Sequence, residues 1–188
     1  MVSLKDFSFR QYIYKNYKNN KNFRIMMKED FSVHELVLDI LKDKYSKNNS
    51  DEERDDAWLN SRMNNIWVRY FKDVERENIV LARFKGKWRN KFGHIKRLKD
   101  KSTEIAVNRL FRNKTIPEFM VDLTLAHEIV HYSHGFHSPL EKKYKHPHKG
   151  GIVTKDLKKR GFKEMIKVER DFIKTKWIKY YKLLNQDL

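Results

Sequence analysis

The chain has 188 residues, no cysteine and a formal net charge of +17, so it is long enough for one domain with its own core, while disulfides and thiolate metal sites are excluded. Any metal must therefore be held by histidine and carboxylate. No apolar run reaches the length of a membrane span, and the opening Met1-Val2-Ser3-Leu4-Lys5-Asp6-Phe7 lacks the apolar core of a signal peptide, so the expectation is a cytoplasmic protein with no membrane role.

From the amino terminus, Phe7 to Phe23, with Tyr12, Tyr14, Tyr17 and a run of asparagines, shows no clean period and reads as an arm. Phe31, Leu36, Leu38, Ile40 and Leu41 then mark a helix, in which His34 reads as a surface or capping residue. Lys47 to Ser50 is a linker, and the acidic Asp51 to Asp56 suits the positive end of a helix dipole. The stripe Trp58, Leu59, Met63, Ile66, Trp67, Tyr70 and Phe71 that follows is core.

Arg83 to Gly93 interleaves Phe84, Trp88 and Phe92 with cations. Aromatics of this kind can stack on unpaired bases while Lys87, Arg89 and Lys91 contact phosphates. Trp88 and Phe92 serve equally well as core residues of a hairpin or helix face, which leaves the three cations as the candidate nucleic-acid contacts. Glu104 to Asn108 is a short strand-like run.

Thr115-Ile116-Pro117-Glu118 has the spacing of a capping box, and proline is tolerated in a first helical turn, so a helix is expected to start there. Met120, Leu123, Thr124, His127 and His131 recur at helical spacing, Val121, Leu125 and Ile129 make other sides apolar, and Gly135 is a natural stop. Within this buried helix lies His127-Glu128-Ile129-Val130-His131. Residues i and i+4 share one face, so the two imidazoles can grip one Zn²⁺, and Glu128 projects where it can take a proton from water and hand it to a leaving amine.

Three protein ligands are usual for a catalytic zinc site. The candidates for the third are His137, six residues past His131; His146 and His148, which flank Pro147 in a loop; and Glu169, a carboxylate on the apolar stripe of the next long helix. Such a glutamate is a ligand, a partner of a ligand histidine, or a salt-bridged core residue. Tyr132, Tyr144 and His134 are candidates for assisting an oxyanion. Beyond the loop, Thr154 to Arg160 reads as a short basic helix stopped by Gly161, and Phe162 to Leu184 as a long helix. Lys163, Lys167, Arg170 and Lys174 form a cationic row on the long one, which reads as a solvated face.

Charge is unevenly placed along the chain. Residues 83–114 carry 12 basic and 2 acidic side chains, 115–140 none and 3, and 141–188 carry 15 and 6. Basic flanks folded around the motif would make a polyanion-binding rim beside it.

Ile105-Ala106-Val107-Asn108, Pro117, the H-E-x-x-H run, the His-rich return loop and the Gly-punctuated helix together resemble the SprT-like (Spartan-type) metallopeptidase domain over residues 80–175. The resemblance implies a zincin fold in which a strand beside the active-site helix offers its edge to substrate. It also implies a third histidine ligand past the motif, often followed by glycine. His148, followed by Lys149-Gly150-Gly151, fits that chemistry best, while His146 has the closer spacing. A related set of small zinc peptidases uses a return that His137 would match. Departures from the family pattern are the extended Phe136-to-Pro147 loop and the absence of zinc-ribbon cysteines.

The expected architecture is helix-rich α+β of zincin type, with an N-terminal helical region at 1–78 and the metallopeptidase domain at 79–188. A small sheet, an active-site helix and a long closing helix make up that domain. The expected function is zinc-dependent proteolysis of DNA-associated or DNA-crosslinked protein, with single-stranded or junction DNA as a scaffold. The alternatives are a basic nucleic-acid-binding protein with a structural, non-catalytic zinc site, and a small metallopeptidase with no nucleic-acid role.

Overall fold

A computed structural model describes residues 54–185. The chain divides between Asp51 and Glu52 into two units, and the described residues belong to the second. That division precedes the expected 78/79 boundary. The expected arm, the helix containing His34 and the Lys47–Ser50 linker lie outside the described residues.

In chain order the described residues form α1 (Asp56–Tyr70), β1 (Val80–Lys85), β2 (Gly93–Arg97), β3 (Thr103–Asn108), α2 (Glu118–Ser133), α3 (Ile152–Lys159), α4 (Lys163–Phe172) and α5 (Ile178–Asn185). The result is a mixed α+β fold with a small three-stranded sheet. A single-turn 3₁₀ segment at Arg109–Arg112 follows β3, another at Lys149–Gly151 precedes α3, and a wide π-type turn at Ile173–Trp177 joins α4 to α5.

Sheet order is β1-β3-β2, with β1 parallel and β2 antiparallel to β3. The Glu104–Asn108 strand expected to offer an edge is thus the central strand, and all six residues of β3 are buried. The edge on the cleft side belongs to β2, whose outer side has no strand partner among the described residues. One face of the sheet is apolar: Val80, Ala82 and Phe84 of β1 are buried level with Ile105 and Val107, and α1 and α2 pack on it. On the other face buried Glu104 accepts two hydrogen bonds from Lys85 Nζ, at 2.7 and 2.6 Å.

α1 starts at Asp55, whose carboxylate accepts from the Trp58 N–H at 2.7 Å, and it buries Leu59, Met63, Ile66 and Trp67 as expected. Arg62 forks onto Asp122 and ties α1 to α2. α2 begins where the sequence places it, but without the capping box. Thr115 Oγ1 donates to Asn113 Oδ1 at 2.7 Å instead, and Pro117 occupies the cap with no side-chain hydrogen bond.

The other end of α2 is closed by Gly135, in the left-handed region at φ 78°. The Gly135 N–H donates to Tyr132 O at 3.0 Å and the Phe136 N–H to His131 O at 3.0 Å, the paired bonds of a Schellman cap. A Cβ here would sit 2.3 Å from Glu141 O, so the return loop packs directly on the glycine.

Trp88 and Phe92 are half-buried in the loop between β1 and β2 rather than in a hairpin, because β3 separates those strands. Phe92 stacks on Phe111 and meets Trp177 edge-on, with centroids at 5.6 and 5.1 Å. Asn108 staples this loop: its Nδ2 donates to Trp88 O at 2.6 Å and to Lys91 O at 3.1 Å, and its N–H to Phe92 O at 2.7 Å.

Candidate metal centre

α2 carries His127 and His131 on the face that closes a cleft of about 610 Å³. The opposite walls are the Asn90–Ile95 segment, the return loop at His137 and Pro147–His148, and the face of α4 and of the π-type turn after it that bears Ile166, Glu169 and Ile173. The Nε2 atoms of His127 and His131 are 3.1 Å apart, and His148 joins them so that one ring nitrogen from each lies within 4.8 Å of the others. His148 faces both partners, with ring centroids 5.5 Å from His127 and 4.6 Å from His131.

This donor set suits a metal ion. For two ligands at tetrahedral angles and ordinary zinc–nitrogen lengths, the expected N···N separation is about 3.3 Å, close to that of the two helix histidines. Burial drives the His127 imidazole down to about 4, reinforced by His148, and the His131 imidazole to about 3, reinforced by His127. Both rings are therefore neutral, the ligating form, over the whole ordinary pH range. The three histidines lie close enough to bind a metal ion.

Glu128 is buried at the cleft wall, 5% exposed, and burial lifts its carboxyl to about 8, with Lys91 pulling the other way. Gly93 makes room for it. A Cβ at that position would lie 2.6 Å from Thr124 Cγ2 and 3.1 Å from Glu128 Oε1, so β2 runs against α2 only because residue 93 has no side chain. Sequence reasoning passed over Gly93, although a glycine opening a strand is a signal of close backbone approach.

The other expected ligands stand apart from the histidine group. His137 lines the cleft but is exposed, with a left-handed backbone at φ 57°, and its carbonyl accepts from Thr103 Oγ1 at 2.8 Å. His146 is exposed and does not line the cleft. Glu169 lines the cleft, half-buried, with burial raising its carboxyl to about 7. Its carboxylate has no ion pair among the described residues, so the salt-bridged core reading does not describe it.

None of the residues considered for oxyanion assistance lines the cleft. Tyr132 is a core residue, fully buried edge-on to Trp67 at 5.1 Å, and its hydroxyl donates to Asn78 Oδ1 at 2.9 Å. His134 is buried with its Nε2 2.9 Å from Asp156 Oδ2, and Tyr144 packs on His134 from outside, 43% exposed. Among the phosphate candidates, Lys87 is half-buried and Arg89 exposed, while Lys91 lines the cleft with its Nζ 4.1 Å from the centroid of the Trp88 ring.

No described helix is long and apolar enough to cross a membrane. Compared with family models, curated proteins and solved structures, the chain matches none of them.

Proposed function

We propose that this chain is a zinc-dependent endopeptidase of SprT-like type, acting on proteins associated with or crosslinked to DNA. The observation that carries the reading is the buried Glu128 carboxyl on the wall of an open cleft, beside three convergent histidines. Zinc held by His127, His131 and His148 would polarise a substrate carbonyl and make water acidic enough to lose a proton near neutral pH. Glu128 takes a proton from the attacking water as its oxygen bonds to the carbonyl carbon, and then passes it to the amine nitrogen, which leaves as the C–N bond breaks and the carbonyl re-forms.

An extended peptide fits the outer edge of β2, where backbone pairing would hold it across the mouth of the cleft. A structural zinc site is normally closed by four protein ligands, whereas the group here has three among the described residues and opens on a cleft. The nucleic-acid part of the reading rests on the two basic stretches that flank the motif in sequence.

The test combines zinc analysis with cleavage of a histone or casein substrate, with and without single-stranded DNA. Wild type should bind about one zinc and cut, and Glu128→Gln should keep the zinc and lose at least about 10³-fold in rate. A chain that binds no zinc sinks the enzyme reading. One that cuts, but whose DNA affinity is negligible or lacks a steep salt dependence, is a peptidase without the DNA role.

A further inference from the structure

α4 and the first residue of the π-type turn that continues it present three residues toward the cleft along one face: Ile166, Glu169 and Ile173, at spacings of three and four. Two are apolar and the middle one is a carboxylate. Glu169 is half-buried, and its carboxylate makes no hydrogen bond or ion pair among the described residues. It lies outside the histidine group that could hold a metal. Arg170 also lines the cleft but is exposed, and neighbours in sequence on a helix do not face each other.

A carboxylate drawn out of water between two isoleucines is disfavoured unless a cation joins it. The cost of burial is visible in the upward shift of its pKa, only partly offset by Arg170. Isoleucines one turn to either side would cover the methylene stem of a long cationic side chain, leaving its charged end at the carboxylate.

We propose that Glu169 is the specificity-determining residue of this cleft, its carboxylate receiving a cationic nitrogen of the peptide substrate. The inference rests on the peptidase reading above. Two sources carry that chemistry: a lysine or arginine side chain within the peptide, or a free α-amino group at its end. Either one forms a charge-assisted hydrogen bond to Glu169 while the scissile bond lies at the histidines.

The experiment uses the zinc-loaded full chain and quenched peptides that differ at a single scanned position, carrying lysine, arginine, norleucine or glutamate, each with a free or an acetylated amino terminus. In wild type one cationic series should exceed its norleucine or acetylated counterpart about tenfold in kcat/KM. Glu169→Gln should abolish that preference through KM and retain zinc. Glu169→Lys should turn the preference toward glutamate. Binding read by fluorescence anisotropy on Glu128→Gln, with and without Glu169→Gln, should give the same ranking without turnover.

Dependence on acetylation assigns the α-amino group, and dependence on the scanned side chain assigns lysine or arginine. Loss of zinc in Glu169→Gln would make the residue a ligand or a ligand's support and overturn the inference. Equal cutting of all peptides by wild type and Glu169→Gln overturns it while leaving the peptidase reading intact. A wild type that cuts none of them overturns both.

Discussion

Burial acts in opposite directions on the two kinds of group at the cleft. It pushes the Glu128 carboxyl up to about 8 and the His127 and His131 imidazoles down to about 4 and 3. Each shift favours the neutral form, so without a metal ion these three groups are nearly uncharged at neutral pH. A metal ion at the histidines would reverse this for Glu128 and make it a base. His148 differs from the helix pair in being exposed, on a loop. His148→Ala should cost more zinc affinity than the roughly ten- to hundredfold typical of an outer-shell partner, whereas His137→Ala and His146→Ala should keep wild-type affinity. Competition with a chromogenic chelator measures all three, and equal losses at His146 and His148 would contradict the geometry.

Among the elements, α2 was the most legible, because its apolar positions, Pro117 and Gly135 mark a buried helix with both ends given locally. Its cap was not, since Thr115 has a competing partner two residues away in Asn113. The Glu104–Asn108 run was legible as a strand, but its central place depends on pairing with segments far off in sequence, which a local pattern does not encode. His148, singled out by the glycines that follow it, is the loop histidine that joins His127 and His131, whereas the closer spacing of His146 was no guide, because a loop has no period and spacing says little about which side chain turns inward.

Asn108 shows how an element serves the site at a distance, by fixing the loop that carries Lys91 into the cleft. Asn108→Ala should destabilise the fold by about 2 kcal/mol and speed amide exchange in residues 88–92 ahead of β3. Gly135→Ala should cost about 2 kcal/mol or more in urea unfolding, from its left-handed backbone and from the clash with Glu141 O.

For the molecule as a whole, the same shifts set how stability follows pH. His127 and His131, lowered from 6.5, bind fewer protons folded than unfolded, so stability falls as pH drops below about 6.5 toward 4 and 3. Glu128 and Glu169, raised from 4.5 to about 8 and 7, bind more protons folded, so their contribution is complete below 4.5 and is lost as pH rises through 7 and 8. The two slopes oppose each other between 4.5 and 6.5. Metal-free protein should therefore show its highest melting temperature in that window and lose several degrees on either side. Replacing both glutamates by glutamine should flatten the alkaline fall alone.

The outer side of β2, which has no strand partner among the described residues, has a further consequence for the protein in concentrated solution. A strand edge that could take an extended peptide could equally take the same edge of another copy, which is the first step of sheet-to-sheet aggregation. Lys96 and Arg97 are exposed on that strand, and the chain as a whole carries +17, so like charges meet whenever two such edges approach. Added salt should therefore screen the repulsion between such edges and promote association, which light scattering over a salt series would measure.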